Sequence, residues 1–205
     1  MLRTLVIQAG GGSRRMGQDK ALMPFCGVPL IERILGRLDG LADEVCITSN
    51  QPLSAKLTYL GLPVFADIFP GKGPLGGLYT ALARAASPEV IVVAPDMPFV
   101  NSRLLSAECD MLAITRSDAV IPLSSFGFEP LHAVYRRESC LSAVLSALED
   151  GQLRLSAWFS KVEVYPMPLA EVAVYDPDLR SFINVNTPVE FQDAEKLALQ
   201  IGVDR

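Results

Sequence analysis

The sequence contains a single histidine, His132, and its four cysteines are scattered without a CxxC pair. One histidine excludes metal sites built on several histidines and argues against a Ser-His-Asp triad. The cysteine spacing supports neither a zinc site nor a redox-active thiol pair. Apolar runs are short, and none approaches the ~20 residues of a membrane helix. Because no secretion signal is visible either, we expect a cytoplasmic protein with no membrane partner.

Positive charge is also scarce. The 18 lysines and arginines are outnumbered by 23 aspartates and glutamates, which gives a net charge of −5. General nucleic-acid binders present a net basic face to the phosphate backbone, so we expect no nucleic-acid partner. A small phosphorylated ligand needs only a local positive pocket and stays compatible with this balance. The 205 residues predict a single domain over residues 1–205.

Short β-branched segments alternate along the chain with amphipathic ones. The patterns predict strands at 5–9, 44–49, 63–66, 90–94, 118–122, 131–135 and 159–165, and helices at 30–41, 75–86, after residue 101, 138–148 and 188–201. The segment 90–94 is the most apolar and should be a central strand, buried on both faces. This alternation predicts a three-layer α/β fold with a doubly wound, mostly parallel sheet. Ligands of such sheets bind beyond the carboxyl ends of the strands.

The segment after the first predicted strand combines glycine with positive charge. Three consecutive glycines occupy positions 10–12, and Arg14, Arg15 and Lys20 follow. Glycines let backbone N–H groups approach an anion closely, and fixed cations bind phosphates. The combination predicts a triphosphate-binding loop, with a glycine-rich turn and solvated basic side chains as the alternative.

Two standard phosphate-loop motifs do not fit this segment. Gly12 and Gly17 have the Walker A spacing, but the next two residues are Gln-Asp instead of Lys-Ser or Lys-Thr. Arg15 occupies a position where the dinucleotide fingerprint needs glycine. A GxGxxG pattern does occur at 71–76, with Asp96 twenty residues beyond it. That pattern leaves an NAD-dependent oxidoreductase as an alternative function.

Asp96 follows the most apolar predicted strand. A carboxylate at the carboxyl end of a central strand is well placed to hold a Mg²⁺ ion that bridges nucleotide phosphates. The alternative is a turn aspartate held by Pro95 and Pro98. The glycine-rich, cationic segment on a neighbouring strand favours the metal interpretation.

Polar residues near the C-terminal helix and in the middle of the chain are further candidates. Asn184 and Asn186 alternate, so in an extended segment both side chains point the same way and could contact a phosphorylated ligand. Thr187 would cap the following helix, which is compatible with that role. Glu129 either faces a second substrate or forms an ion pair at a strand start. His132 lies in an alternating strand and is interpreted as structural.

Together these motifs resemble those of the molybdenum cofactor guanylyltransferases, within the larger nucleotidyltransferase group of α/β enzymes. The resemblance runs from residue 4 to about residue 190. Segments 70–78 and 184–188 distinguish the guanylyltransferases from the other nucleotidyltransferases in this resemblance. The segments that carry it are 9–11, 15–17, 19–20, 27–30, 67, 70–78, 96–99, 129–131 and 184–188.

The resemblance implies a Rossmann-like nucleotidyltransferase fold and a Mg²⁺-dependent reaction. The terminal phosphate of molybdopterin would attack GTP, so that GMP is transferred and pyrophosphate leaves. The nucleotide-binding residues it implies are Gln8, Ala9, Gly10, Gly11, Lys20, Asn50, Asp67 and Asp96. It further implies Lys20, Arg15 and Asp96 as catalytic residues, Asp96 as the metal ligand, and Glu129, Asn184 and Asn186 as residues facing the pterin. Proteins that deliver the cofactor or mature molybdoenzymes are implied as further partners.

Two residues depart from the family pattern. The family usually has leucine at the position of Gln8 and cysteine at the position of Pro95. Gln8 carries both a donor and an acceptor, so it could alter which base is recognised, and a cytidylyltransferase acting on the same pterin is the alternative. Pro95 leaves the metal ligand intact. A regulator that binds nucleotide without turnover is a third alternative, against which the presence of Asp96 and Lys20 argues.

Overall fold

The computed structural model describes residues 1–9, 19–49 and 55–202. Within these residues the strands are β1 (Arg3–Gln8), β2 (Pro24–Phe25), β3 (Val28–Pro29), β4 (Glu44–Ser49), β5 (Val64–Ala66), β6 (Glu89–Val93), β7 (Ala119–Ser124), β8 (Gly127–Phe128), β9 (His132–Arg136) and β10 (Val164–Met167). The helices are α1 (Leu30–Arg37), α2 (Gly73–Arg84), α3 (Ser102–Thr115), α4 (Arg137–Glu149), α5 (Leu169–Tyr175) and α6 (Pro188–Ile201). Among the described residues, no helix has the length and apolar character needed to cross a bilayer.

One large sheet organises the molecule. Its strand order is β10-β7-β9-β6-β1-β4-β5, with β8 paired to β7. Strands β1, β4, β5 and β6 are mutually parallel, whereas β9 runs antiparallel to both of its neighbours, β6 and β7. The sheet is therefore mostly parallel, as the alternation of strands and helices predicts.

Helices cover both faces of this sheet. On one face, α1, α3, α5 and α6 enclose a core that includes Leu5, Ile7, Ile91 and Val93. On the other face, α2 and α4 pack on a core that includes Val6 and Val92. Successive side chains of a strand point to opposite faces, so β6 supplies apolar residues to both cores and is buried along its whole length. The predicted three-layer, doubly wound architecture is confirmed.

Some local predictions are confirmed and others are wrong. Helix α6 begins at Pro188 and ends at Ile201, as predicted, and Asn101 caps α3 by accepting hydrogen bonds from the next helical amides. The predicted strand at 159–165 is wrong, because Phe159–Lys161 forms a 3-10 turn and β10 begins only at Val164. The turn follows Trp158, whose side chain is fully buried. Trp158 is thus a core residue.

Candidate active site

The carboxyl ends of β1, β4, β5 and β6 meet at one edge of the sheet, because these strands are parallel. Ala9 directly follows β1, and its amide donates to the Thr48 carbonyl of β4 at 2.7 Å. Asp67 directly follows β5, and its amide donates to the Ser49 carbonyl at 3.2 Å. Asp96 lies three residues beyond β6. Residues far apart in sequence therefore converge at the edge where ligands of such folds bind.

Lys20 lies at the centre of this edge, at the start of a 3-10 turn, Lys20–Leu22. Its Nζ is 2.8 Å from Asp96 Oδ2 and 2.8 Å from Asn186 Oδ1. The side chains of Lys20 and Asp96 are only 13% and 18% exposed. The segment before α6 is tied to the same place, because the Val185 amide donates to the Asp96 carbonyl at 3.0 Å. Three of the predicted site residues thus form one charged cluster.

Two further carboxylates flank this cluster. Glu129 accepts a hydrogen bond from Ser124 Oγ at 2.6 Å; burial raises its pKa, and the nearby Asp96 carboxylate raises it further. Glu190 Oε2 accepts hydrogen bonds from the amides of Asn186 and Thr187 at 2.7 and 2.9 Å. Those amides lower the pKa of Glu190, and Lys20 contributes in the same direction. The cluster therefore has a surplus of negative charge.

A second group of polar atoms lies across β1, β4 and β5. Gln8 and Thr48 are register partners in adjacent strands. In the described part of the chain, Gln8 Oε1, Thr48 Oγ1 and Asp67 Oδ1 are buried and have no hydrogen-bond partner. Burial raises the pKa of Asp67. Buried polar atoms normally have partners, so this row of unpaired atoms fits a place where a polar ligand supplies them.

The glycines at 71–77 are explained by backbone geometry and packing. Gly71 and Gly73 have φ of +80° and +60°, which favours glycine. Gln8 Nε2 donates to the Pro74 carbonyl at 2.9 Å, and a Cβ on Gly77 would lie 2.4 Å from that Nε2. The glycine-rich loop thus turns into α2 and lets the helix approach β1 closely. A Cβ on Gly76 would lie 2.8 Å from Lys72 Cβ. Backbone conformation at the first two glycines of the GxGxxG pattern and packing at the third therefore account for the pattern without a dinucleotide.

A groove is bordered by the two sequence neighbours of Glu129. It has a volume of about 460 Å³ and is lined by Pro74, Phe128, Pro130, Leu153, Arg154, Leu155, Ser156 and Phe159. The rings of Phe128 and Phe159 pack edge to face with centroids 5.2 Å apart. Arg154 brings a cation to this aromatic surface. Sequence reasoning missed this residue; the signal was an arginine between two leucines close to Trp158.

The remaining predicted residues are placed as follows. Asn184 has a buried Oδ1 without a partner among the described residues, and it is separated from Asn186 by the residue that binds Asp96. His132 is structural as interpreted: its Nδ1 lies 3.0 Å from Glu108 Oε1, and both side chains are fully buried. Gly10, Gly11, Arg15 and Asn50 lie outside the described residues.

The donors at this edge fit a hard divalent cation that completes its shell with other oxygens. No group of three His, Cys, Asp or Glu residues in the described ranges could hold a metal alone. Mg²⁺ is usually held by one or two carboxylates together with substrate phosphates and water. Asp96 Oδ2 provides one such carboxylate, and Asn186 Oδ1 contacts the same ammonium group.

Comparisons with known proteins agree with this geometry. A family model described as "MobA-like NTP transferase domain" matches residues 5–163. The chain is 36% identical over 200 residues to a probable molybdenum cofactor guanylyltransferase of Natronomonas pharaonis, covering 95% of this chain and 97% of the relative. It is 32% identical over 195 residues to the molybdenum cofactor guanylyltransferase of Desulfosudis oleivorans, covering 94% of each.

A solved structure is similar over nearly the full length. The crystal structure of molybdopterin-guanine dinucleotide biosynthesis protein A from Archaeoglobus fulgidus superposes with a TM-score of 0.84 at 26% identity. The match covers 97% of this chain and 100% of the other. The Rossmann-like α/β architecture is therefore shared with this relative.

Proposed function

The chain belongs to the MobA-like NTP transferase family, and from this premise we propose that it transfers GMP from GTP to the terminal phosphate of molybdopterin. An oxygen of that phosphate would form a bond to the α-phosphorus of GTP. The bond from the α-phosphorus to the bridging oxygen of the β-phosphate would break, and pyrophosphate would leave with that oxygen. The product would be the guanine dinucleotide form of the cofactor.

The observation that carries the proposal is the position of Lys20 between Asp96 and Asn186 at the carboxyl edge of the sheet. The attacking phosphate is already anionic, so no nucleophilic side chain is needed, and catalysis reduces to positioning and charge stabilisation. Lys20 would bind the triphosphate and stabilise the negative charge that develops on pyrophosphate. Arg15 is predicted to assist from the glycine-rich segment.

Asp96 fits the role of the Mg²⁺ ligand. The backbone carbonyl of Asp96 accepts a hydrogen bond from the Val185 amide, which holds the residue at the edge, and the Asp96 carboxylate contacts the ammonium group of Lys20. Mg²⁺ bound there would neutralise phosphate charge. Replacing the carboxylate would therefore remove turnover without removing a core residue.

The unpaired atoms of Gln8, Thr48 and Asp67 would bind the nucleoside. Because Gln8 Nε2 is engaged with the Pro74 carbonyl, the atom that Gln8 leaves for a ligand is the acceptor Oε1. Guanine offers ring and exocyclic N–H donors, so an acceptor at this edge is compatible with GTP. Cytosine also carries an amino group that could donate to this acceptor, so CTP, the alternative nucleotide that Gln8 suggests, is included in the binding experiment below.

The groove beside Glu129 would accept the pterin. Aromatic rings at Phe128 and Phe159 suit a planar heterocycle, and Arg154 suits an anionic group. The groove is lined by Pro74, whose carbonyl accepts a hydrogen bond from Gln8, and by Pro130, which follows Glu129. Asn184 directly precedes Val185, whose amide donates to the Asp96 carbonyl. Proteins that deliver the cofactor or receive the product are proposed as further partners.

Thermal melting with GTP, CTP, ATP and NAD, each with and without Mg²⁺, tests nucleotide choice first, since a ligand that binds the folded state raises the melting temperature. We expect GTP with Mg²⁺ to give the largest increase. A larger increase with CTP would reassign the base, and an increase with NAD alone would contradict the proposal. Pyrophosphate release with molybdopterin and GTP then tests transfer, with Asp96→Asn as the matched control. Asp96→Asn should melt like the unsubstituted protein while its turnover falls by orders of magnitude.

A further inference from the structure

Two oxygens surround one cation position at the carboxyl edge. Asp96 Oδ2 and Asn186 Oδ1 each lie 2.8 Å from Lys20 Nζ. An ammonium group is a compact cation with three donors, and here it is bound by an anionic and a neutral oxygen at once. The two acceptor oxygens therefore converge on a point that a cation already occupies.

Backbone contacts that do not involve Lys20 fix the two segments that carry these side chains. The Val185 amide donates to the Asp96 carbonyl at 3.0 Å, which joins the two segments. The Asn186 amide donates to Glu190 Oε2 at 2.7 Å, next to the capping box of α6 that Thr187 and Glu190 form. The two segments should thus stay together when the ammonium group moves away, so that both side chains remain at this edge.

The charge around this position is unbalanced without Lys20. Asp96 contributes one carboxylate, Glu129 lies close enough for the Asp96 charge to raise its pKa, and Glu190 lies close enough for Lys20 to lower its pKa. Withdrawing the ammonium group leaves the Asp96 carboxylate without its cation, and Glu129 and Glu190 add negative charge to the surroundings. A site of this charge and oxygen content attracts a divalent cation.

We propose that Lys20 Nζ holds the position of the divalent cation in the nucleotide-free protein, and that Asp96 and Asn186 together bind this cation once the triphosphate has drawn Lys20 away. This rests on the proposed function, since it is the triphosphate that competes for Lys20. Two cations cannot share the same pair of oxygens, so nucleotide and metal bind cooperatively and the metal alone binds weakly. Asn186 then acts as a metal ligand and not as the pterin-binding residue that the sequence suggests.

Mn²⁺ binding without turnover tests the inference, with free Mn²⁺ followed by electron paramagnetic resonance. We expect Lys20→Met to bind Mn²⁺ in the absence of nucleotide on the order of tenfold more tightly than the unsubstituted protein, a coupling typical of linked sites. The unsubstituted protein should show a similar gain only when GTP is added. Lys56→Met is the matched control, because Lys56 pairs with Asp19 at 2.6 Å near the same edge and is 59% exposed. It removes the same charge and should leave Mn²⁺ affinity within about twofold, as expected for an exposed, screened charge.

The double variant Lys20→Met/Asn186→Ala tests the second ligand. It should lose most of the Mn²⁺ affinity that Lys20→Met gains, whereas Asn186→Asp in the Lys20→Met background should increase it further. If Lys20→Met binds Mn²⁺ no better than the unsubstituted protein, the cation position is not shared and the inference is overturned. If the double variant binds as tightly as Lys20→Met, Asn186 is not a ligand.

A failure of this inference can be distinguished from a failure of the proposed function. Mn²⁺ affinity is measured without molybdopterin and without turnover, so a failure of GMP transfer leaves the Lys20→Met result standing. Circular dichroism melting confirms that each variant is folded. Should Lys20→Met not fold, Lys20→Ala gives the same comparison, because it also removes the ammonium group and leaves no side chain that binds Asp96.

Discussion

Replacing Gly77 by alanine is expected to destabilise the protein, although alanine favours helices more than glycine does. Gly77 lies in the first half of α2, where the helix crosses the end of β1. A Cβ at this position would lie 2.4 Å from Gln8 Nε2, 2.8 Å from Gln8 Cδ and 3.1 Å from Gln8 Cγ. Gln8 is only 2% exposed, so its side chain has no solvent to move into.

The magnitude follows from two opposing effects. Displacing the Gln8 amide breaks its hydrogen bond to the Pro74 carbonyl and leaves buried polar groups unpaired, which costs about 1–3 kcal/mol. Alanine gains about 1 kcal/mol over glycine in a helix interior. We therefore expect Gly77→Ala to lower the free energy of unfolding by about 1 kcal/mol, the difference between these effects.

Urea denaturation measures this difference, and Gly36→Ala supplies the control. Gly36 lies in α1, and a Cβ there would meet nothing within 4 Å, so that substitution should raise stability by a few tenths of a kcal/mol or more. In a Gln8→Ala background the clash is absent, and Gly77→Ala should become neutral or stabilising. If Gly77→Ala stabilises the protein as Gly36→Ala does, or costs the same in both backgrounds, then Gln8 is not the obstacle and the reasoning fails.

Three further changes have expected outcomes. Burial raises the pKa of Asp67 above its ordinary value of 3.8, so the unfolded chain loses this proton at lower pH than the folded protein does, and the free energy of unfolding falls as pH rises above that value. In urea denaturation, Asp67→Asn should therefore be more stable than the unsubstituted protein at pH 7 but not at pH 3, and equal stability at pH 7 would contradict this. His132→Ala leaves the Glu108 carboxylate buried and unpaired and should lower the free energy of unfolding by about 3–5 kcal/mol. The double variant His132→Phe/Glu108→Leu replaces both partners by apolar side chains and should melt close to the unsubstituted protein; a double variant as unstable as His132→Ala would refute this. Thr187→Ala removes the capping box of α6 and should lower the free energy of unfolding in chemical denaturation by about 1 kcal/mol, whereas Thr187→Ser should keep most of the stability. If both variants lose the same stability, the Thr187 hydroxyl is not the cause.

Local patterns in the sequence predict those elements whose boundaries are set by local chemistry. The pairing of Pro188 with a preceding threonine marks the start of α6, and the apolar run at 90–94 identifies the central strand. The direction of β9 could not be predicted, because period-two alternation is the same for parallel and antiparallel strands. Its orientation is set by pairing with β6 and β7.

In the candidate site, too, local sequence predicts some features, whereas others depend on contacts between distant residues. Asp96 and Lys20 can be selected from residue type and from their positions after predicted strands. Their contact with Asn186 could not be predicted from spacing, since Lys20 and Asn186 are 166 positions apart. The close approach of Gly77 to Gln8 could not be predicted either, because these residues are also far apart in the sequence.

Because β9 runs antiparallel to β6, two different sets of loops form the two halves of the carboxyl edge. Strands β1, β4, β5 and β6 end at this edge, whereas β9 begins there, at His132. Residues on its side of the cluster, such as Glu129, are therefore supplied by the loop that follows the short hairpin of β7 and β8, and the Glu129 amide is anchored to the Pro122 carbonyl at 2.9 Å. Insertions or exchanges in that hairpin could reshape one half of the edge while the loops that hold Lys20 and Asp96 stay unaltered. An enzyme built on this sheet could thus acquire a new acceptor by changing one loop and still keep its nucleotide.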